Sequence, residues 1–371
     1  MRKLFQKIHL WLSIPFGLII TLTCFSGAML VFEDEITLLV NQDIYYVDQT
    51  GEQHLPADSL IRIAEKELPA EIQITGITFF PDAERTCLIS TSKSKRSALA
   101  VDPYTGEIKG MQERLLFFST MFGLHRWLLD SRPDGEGIFW GKIIVGTSTL
   151  LFVIILVSGI IIWWPRTMRN LKNRLCIKTS AGWRRFWYDL HVAGGMYALI
   201  VLLALALTGL TWSFSWYRTG FYKLFGAESQ KQSTTQTTNK EKQGKEQQKP
   251  ARQTADYSHA QKILERMRTT YSDYRQITIT PNTASVSLKQ PGNQKATDRY
   301  TYNSNNGQII QANKYAETAR SGKLKGWIYT IHVGSWGGLT TRVITFLLSL
   351  FGASLPLTGY YLWIRKHIRK R

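Results

Sequence analysis

The sequence predicts an α-helical membrane protein: a four-helix transmembrane bundle built from two tandem repeats, with two small α+β domains outside the membrane. Two observations carry this prediction. Apolar residues are concentrated in four stretches, although only 44% of the 371 residues are hydrophobic. The same order of histidines, small residues and glycines also occurs in both halves of the chain, which is typical of an internal duplication.

Four stretches are long and apolar enough to cross a bilayer as helices. A hydrocarbon core of about 30 Å requires about 20 apolar residues in a helix. The predicted transmembrane helices are residues 8–32, 139–164, 190–216 and 340–364. Basic residues precede the first stretch, as they do in a secretory signal. The stretch is nevertheless too long for a signal's apolar region and lacks a small-residue cleavage site, so we interpret it as a retained helix.

The basic residues indicate the orientation of these helices. They concentrate before the first helix, in residues 166–185 and after the fourth helix, where no Asp or Glu accompanies them, and they explain most of the +19 formal charge. Such segments face the cytoplasm by the positive-inside rule. Both termini and the loop 165–189 are therefore predicted to be cytoplasmic. A nucleic-acid-binding protein would instead need a basic face on a soluble domain, so we expect no nucleic-acid partner.

Each of the two long loops shows the pattern of a small α+β domain. In residues 33–138, helical spacing at 57–68 precedes short alternating runs, and in residues 256–339 a helix at 257–271 precedes similar runs. The predicted strands are residues 72–80, 86–91, 98–101, 276–280 and 284–288. Residues 227–255 are rich in Gln, Lys, Thr and Ser, which predicts a solvated linker.

Four of the seven histidines occupy matched positions in the two halves. His9 and His191 begin the first and third helices, whereas His125 and His332 precede the second and fourth. A membrane-embedded haem b needs one axial nitrogen on each side of its plane, and two facing imidazoles supply them. The predicted ligand pairs for two haems are His9 with His191 near the cytoplasm, and His125 with His332 near the outer face.

Glycines near these histidines are expected to leave room for a flat ligand. Five of them closely follow His191 or His332: Gly194, Gly195, Gly334, Gly337 and Gly338. Two more, Gly27 and Gly209, lie eighteen residues after His9 and His191. At 1.5 Å per residue this is about 27 Å, which brings them near the outer histidines. By the same count, Gly159 and Gly359 are expected near the cytoplasmic histidines.

The same residues also have a structural interpretation. A single interfacial histidine is commonly a headgroup-facing residue, and Ser-Gly or Thr-Gly pairs usually serve close helix packing. An internal duplication copies a structural histidine as faithfully as a ligand. Spacing therefore leaves haem ligation and a structural role both open.

Three motifs, taken in order, resemble the PepSY-associated transmembrane family of iron-regulated bacterial inner-membrane proteins. They are Lys-Ile-His-Leu-Trp-Leu at 7–12, Gly-Leu-His-Arg-Trp-Leu at 123–128 and Asp-Leu-His at 189–191. The resemblance covers nearly the whole chain apart from the linker. The chain departs from the family pattern at one point. Residues 128–135 separate His125 from the transmembrane helix that follows it, and this separation is longer than that between His332 and the fourth helix. The depth of His125 in the membrane therefore stays open.

The family includes haem-b ferric-siderophore reductases, whose membrane histidines ligate haems that pass electrons outward. The resemblance implies this role for His9, His125, His191 and His332, and it implies PepSY-type domains for the outer loops. The expected partners are membrane lipid, a ferric siderophore or other periplasmic electron acceptor, and an unidentified electron donor. Because no Gly-rich dinucleotide loop or flavin fingerprint is visible, the electrons must come from a partner or a quinol.

Two other functions remain open at this stage. In the first alternative, the chain is a non-redox membrane protein whose PepSY domains regulate an envelope peptidase, and its histidines are structural. In the second alternative, the chain is a permease for haem or a metal chelate, and the four histidines form a transport path. The first alternative predicts a protein that binds no haem.

Reporter fusions test the predicted orientation. A reporter fused after Arg371 is expected in the cytoplasm, because Arg365, Lys366 and Arg369 follow the last helix without an acidic residue. A matched fusion within residues 227–255 is expected on the opposite side. Alkaline phosphatase and green fluorescent protein fusions distinguish the two compartments. A periplasmic C-terminus would contradict the orientation.

Overall fold

The computed structural model describes residues 1–69, 71–93, 97–131, 137–165, 167–227 and 256–368. The first half of the chain forms α1 (Arg2–Met29), α2 (Glu33–Val40), α3 (Gln42–Tyr45), α4 (Ala57–Glu67), β1 (Ile74–Phe79), β2 (Cys87–Thr91), β3 (Ala98–Val101), β4 (Ile108–Gln112), α5 (Leu116–Trp127) and α6 (Trp140–Trp163). The second half forms α7 (Met168–Leu175), α8 (Trp183–Asp189), α9 (Gly195–Ser213), α10 (Ser215–Leu224), α11 (Ala260–Thr270), β5 (Tyr274–Ile279), β6 (Thr283–Leu288), β7 (Thr297–Tyr302), β8 (Ile309–Asn313), α12 (Arg320–His332) and α13 (Gly338–Ile368). The predicted linker lies outside the described residues except for Ala227, as do Arg166, Arg369, Lys370 and Arg371 of the basic segments.

Four helical segments are long and apolar enough to cross a membrane, which confirms the predicted number among the described residues. They are Arg2–Val40, Trp140–Trp163, Trp183–Ser213 and Ser335–His367. The third segment joins α8 to α9 through a π-helical turn, Leu190–Gly194. It ends before the predicted residue 216, because extended backbone at Phe214 interrupts the helix.

The long helices belong to one compact unit, the membrane unit, which consists of Met1–Glu33, Leu116–Gly226 and Trp327–Arg371. Within it, α1 and α9 each pack against both α6 and α13. The apolar core of this bundle includes Ile20 and Leu202. Because lipid is as apolar as these side chains, close packing rather than exclusion from water stabilises the core.

The second compact unit, the sheet unit, consists of Asp34–Leu115 and Ala227–Gly326. Its eight strands form one antiparallel sheet in the order β4-β3-β2-β1-β5-β6-β7-β8. Helices α4 and α11 pack on this sheet, and Ile77, Ile89 and Ile277 are fully buried in the core between them. Full burial of each such side chain contributes about 1.5–3 kcal/mol.

The two outer loops were expected to form separate domains, but the structure joins them in this single sheet. Strands β1 and β5 pair in antiparallel register, with Thr78 opposite Thr278. The hydroxyl oxygens of these two threonines lie 2.9 Å apart. In separate domains β1 and β5 would each be an edge strand with unpaired N–H and C=O groups. Their pairing satisfies those groups, which explains why one sheet forms.

Other boundaries also differ from the expectation. The segments that carry His125 and His332 were assigned to the outer domains, but they belong to the membrane unit, which the chain re-enters at Leu116, the start of α5, and at Trp327, within α12. The apolar residues of α5 explain the first case, because this helix packs against α1 and α6. The residue patterns of β4, β7 and β8 do not predict strands clearly. β8 is mostly exposed, so it carries no apolar alternation.

A cross-linking experiment tests the joined sheet. In a chain without its natural cysteines, Thr78→Cys with Thr278→Cys is expected to form a disulfide, because the two positions are direct partners. The matched control is Thr78→Cys with Ser285→Cys, which lies one strand further along the sheet. Two strand spacings are about 9.6 Å, too far for a disulfide. Equal cross-linking of both pairs, read by mass spectrometry, would contradict the strand order.

Candidate haem-binding site

The structure brings the four matched histidines together in the predicted pairs, and both pairs lie within the membrane unit. The ring centres of His9 and His191 are 6.4 Å apart, with the ring planes at 87°. The ring centres of His125 and His332 are 6.0 Å apart, with the planes at 48°. The longer segment after His125 therefore does not remove this residue from its pair.

His9 and His191 lie in different backbone environments. His9 lies in the regular helix α1, whereas His191 lies in the π-helical turn between α8 and α9. A π-helical turn is a single wider turn that changes the direction of a side chain, and such turns are frequent at functional sites. His191 therefore lies at the one interruption between α8 and α9, at the start of the apolar part of the third transmembrane segment.

The helices that carry His125 and His332 are both followed by left-handed backbone. After α5, Leu128 and Leu129 have φ angles of 52° and 62°, and after α12, Gly334 has a φ of 74°. Left-handed backbone costs a residue with a Cβ about 1–2 kcal/mol. The first half of the chain therefore holds its turn under strain, whereas the second half uses glycine.

The Nδ1 atoms of His9 and His191 are hydrogen-bonded to neighbouring helices. Nδ1 of His9 lies 3.1 Å from the carbonyl oxygen of Ile155 and 3.0 Å from Oγ of Ser158, both on α6. Nδ1 of His191 lies 2.8 Å from Oγ1 of Thr358 on α13. Each ring is thus held by a helix of its own half of the chain.

The Nδ1 atoms of His125 and His332 have equivalent partners. Nδ1 of His125 lies 2.8 Å from the carbonyl oxygen of Thr23 on α1. Nδ1 of His332 lies 3.1 Å from the carbonyl oxygen of Leu205 and 3.0 Å from Oγ1 of Thr208, both on α9. Each half of the chain therefore supplies two histidines and the groups that hold them, and each pair combines one histidine from each half.

These partners determine which ring nitrogen carries the proton. A carbonyl oxygen only accepts hydrogen bonds, so Nδ1 must be the donor in His9, His125 and His332. In a neutral imidazole the other nitrogen, Nε2, then carries a free lone pair. This is the arrangement of a metal-binding histidine, whose second nitrogen donates to a carbonyl or similar acceptor.

Four glycines lie against the edges of the four rings. A Cβ on Gly159 or Gly359 would lie 3.6 Å or 3.5 Å from Cε1 of His9 or His191. A Cβ on Gly209 would lie 3.1 Å from Cε1 of His332. The contact is closest at Gly27, where a Cβ would lie 2.8 Å from Cε1 of His125. These four glycines lie beside the histidine pairs that the helical rise predicts for them.

The glycines that follow His191 and His332 have other roles than the expected room for a flat ligand. Phe351 occupies the space beside Gly194, where a Cβ would lie 2.4 Å from its ring. Gly334 and Gly338 have φ angles of 74° and 72°, which makes them turn residues between α12 and α13. Side-chain packing and backbone conformation therefore explain why these positions are glycine.

The distances within the pairs fit iron with two axial histidines. With a metal–nitrogen bond of about 2.0 Å and about 1.1 Å from nitrogen to ring centre, two imidazoles on opposite sides of a metal ion have centres about 6.2 Å apart. The observed separations of 6.4 and 6.0 Å agree with this value. The spacing of each pair, and Nδ1 contacts that leave Nε2 as the ligating atom, are therefore compatible with haem.

Charged residues lie close to the His9–His191 pair. Arg2 and Arg174 donate to the carbonyls of Ile162 and Trp163 at the C-terminal end of α6. Cations stabilise this end of a helix by about 0.3–1 kcal/mol. Asp189, two residues before His191, is buried and accepts a hydrogen bond from Nε of Arg185 at 2.8 Å. The ion pair compensates the carboxylate charge.

The remaining histidines are not brought to either pair. His54 and His259 lie in the sheet unit, and His367 lies near the end of α13. Nδ1 of His54 lies 3.3 Å from Nη2 of Arg268. Burial, together with this cation, lowers the pKa of His54.

Sequence reasoning did not identify the residues that hold the histidines. The small residues before Gly159, Gly209 and Gly359 were interpreted only as helix-packing pairs, although their spacing from the histidines was visible. The contact of Trp212 with His332, with ring centres 5.1 Å apart, has no equivalent spacing signal. The position equivalent to Trp212 in the first half of the chain is Leu30, so the internal similarity does not reveal this contact.

Comparison with known proteins gives one finding. A family model described as PepSY-associated TM region matches residues 6–366, which include all four paired histidines. No curated protein matches the chain.

The glycine contacts predict different effects of two similar substitutions. Gly27→Ala is expected to displace His125, because its new Cβ would lie 2.8 Å from Cε1, and to lower the haem content by about half. Gly159→Ala is the matched control, since 3.6 Å to His9 is an ordinary contact. Haem per purified chain is measured as the pyridine complex. Equal haem content in the two variants would contradict the ring positions.

Proposed function

Because the chain belongs to the family of PepSY-associated TM regions, we propose that it is a di-haem b electron-transfer protein of the bacterial inner membrane. In this proposal His9 and His191 hold one haem, and His125 and His332 hold the other. Electrons pass from the cytoplasmic side to the periplasmic face, where they reduce ferric siderophore.

One observation carries the proposal: two pairs of facing imidazoles whose Nδ1 atoms are already engaged. A structural histidine needs only one satisfied nitrogen and no partner ring. Here four rings have the same Nδ1 arrangement, and the two pairs have the separations of 6.4 and 6.0 Å that two axial ligands require. This combination favours ligation over a role in helix packing.

Haem supplies a reversible one-electron centre when it is bound. The four histidines would hold the haems, and the apolar residues around them would exclude water. Ile20 and Leu202 lie eleven residues after His9 and His191, and seven before Gly27 and Gly209. They are therefore between the two pairs along their helices, where they are 4% and 1% exposed. This apolar core therefore lies between the two pairs.

The substrate follows from the chemistry of iron release. Hard oxygen chelators bind Fe(III) more strongly than Fe(II), because the higher charge gives the stronger electrostatic attraction. One electron delivered to each ferric ion therefore weakens the complex and releases iron. The electron comes from a reduced partner or a quinol on the cytoplasmic side, which is oxidised by one electron for each ferric ion reduced.

Spectroscopy of the purified full chain tests the proposal. A preparation reduced with dithionite is expected to show the sharp bands of low-spin haem b, with two haems per chain as the pyridine complex. A colourless preparation that also fails to bind added haem would overturn the proposal and favour the peptidase-regulating function. Haem that moves across vesicle membranes without ferric reduction would favour the permease.

Two histidine substitutions test the assignment of the pairs. His191→Ala is expected to remove about half of the haem, because His9 alone offers one axial bond. His332→Ala is expected to leave one haem that dithionite still reduces. The rate at which vesicles reduce ferric siderophore is expected to fall at least ten-fold. His54→Ala is the matched control, since His54 lies in the sheet unit. Reduction by His332→Ala at the unaltered rate would exclude this pair from the electron path.

A further inference from the structure

We propose that Thr358 is a positioning residue for His191, and that Ser158 and Thr208 act in the same way for His9 and His332. Each hydroxyl group would hold the ring with its Nδ1 protonated, so that Nε2 faces the haem iron. This inference rests on the proposed function, because it concerns the geometry of the haem ligands. It adds three residues that do not touch the iron themselves.

The hydrogen bonds of the hydroxyl groups themselves carry the inference. Each hydroxyl donates to a carbonyl oxygen three or four residues earlier in its own helix: Ser158 to Ile155 at 2.7 Å, Thr208 to Ala204 at 2.6 Å and Leu205 at 3.0 Å, and Thr358 to Leu355 at 2.8 Å. A hydroxyl group has a single hydrogen. Because that hydrogen is used within the helix, the oxygen is available to the histidine only as an acceptor. The Nδ1 atom must therefore donate.

Burial makes these hydroxyl groups difficult to replace. Ser158, Thr208 and Thr358 are only 1%, 5% and 5% exposed. A buried polar group without a partner costs about 1–3 kcal/mol, and no bulk water reaches these positions to substitute for the hydroxyl. Loss of the oxygen would leave the Nδ1–H group to find another acceptor or would favour the other tautomer.

The dependence is expected to be strongest at Thr358. His9 and His332 each have both a hydroxyl and a backbone carbonyl within 3.1 Å of Nδ1. His191 also has a backbone carbonyl partner, that of Leu355, but its 2.8 Å contact with the hydroxyl of Thr358 is the shortest of the three hydroxyl contacts. The following residue, Gly359, lies against Cε1 of the same ring. Thr358 and Gly359 thus define the position of two adjacent ring atoms.

His125 provides an internal contrast. Its Nδ1 donates directly to the carbonyl oxygen of Thr23 at 2.8 Å. Ser26, at the position equivalent to Thr208, donates to the carbonyls of Leu22 and Thr23. Its hydroxyl is thus one step removed from the ring. Substitution of Ser26 is therefore expected to have a smaller effect on haem binding than substitution of Thr358.

Loss of the hydroxyl that accepts the Nδ1 hydrogen bond is expected to change both haem affinity and reduction potential in a defined direction. Residues that orient metal-binding histidines typically contribute 10- to 100-fold to metal affinity. An Nδ1–H group that donates to an acceptor makes Nε2 a stronger electron donor, which favours the ferric state. Removal of the acceptor therefore lowers haem affinity and raises the reduction potential of the affected site.

The test uses full-length apoprotein, purified from haem-deficient cells and titrated with haem. Thr358→Val keeps the size of the side chain but removes the oxygen, and it is expected to weaken one of the two sites about 10- to 100-fold. The reduction potential of that site is expected to rise, with an altered low-spin electron paramagnetic resonance signal. Thr358→Ser is expected to restore affinity, potential and signal, because it restores the hydroxyl.

Ser148→Ala is the matched control. Ser148 is buried in α6, as Ser158 is, but its Oγ has no hydrogen-bond partner among the described residues. Its substitution is expected to leave haem affinity and potential unchanged.

Three results would overturn the inference. They are unchanged affinity and potential in Thr358→Val, equal defects in Thr358→Ser and Thr358→Val, and an equal effect of Ser148→Ala. If Thr358→Val does not accumulate, Ser158→Ala decides by the same measurements at His9. The unaltered chain is measured beside the variants. If it binds two haems, these three results bear on the inference alone. If it binds no haem, the proposed function itself fails.

Discussion

The hydrogen bond from a partly buried imidazole Nδ1 to a neighbouring helix is the interaction on which the membrane unit depends. A polar ring among transmembrane helices has no water to satisfy it, so its N–H group must find an acceptor in the protein. A helix offers few such acceptors, because its carbonyls are used internally. A carbonyl shared with a Ser or Thr hydroxyl, followed by a glycine that lets the ring approach, provides one. His9 and His332 illustrate this arrangement with the same geometry.

The two halves of the chain make their central contacts with each other in both units. In the membrane unit, each half holds its own histidines, but each pair combines one ring from each half. In the sheet unit, each half supplies four strands, and β1 pairs with β5 at the centre. One half alone would leave an edge strand unpaired and each histidine without the second ring of its pair. The candidate site therefore requires the complete chain.

Differences between the halves are as informative as their similarity. The turn after His125 uses Leu128 and Leu129 in left-handed conformations, where the second half uses Gly334. Strain of this kind persists only where the surrounding structure stabilises it. The ring of Trp212 contacts His332, and the π-helical turn surrounds His191. The two pairs also differ in ring orientation, 87° against 48°.

By itself, the sequence determined the features that depend on residues close together in the chain. These are the four apolar spans, the helix and strands around Ala57 and Ala98, and the equal spacing that pairs His9 with His191. Only the tertiary structure decided which helix holds which histidine, since Ile155, Thr358 and Thr23 are far from their rings in sequence. It also decided the pairing of β1 with β5 and the existence of the exposed strand β8. The physical reason is that hydrogen-bond acceptors and strand edges are backbone groups, which every residue carries. Residue identity therefore does not reveal them until packing brings distant segments together.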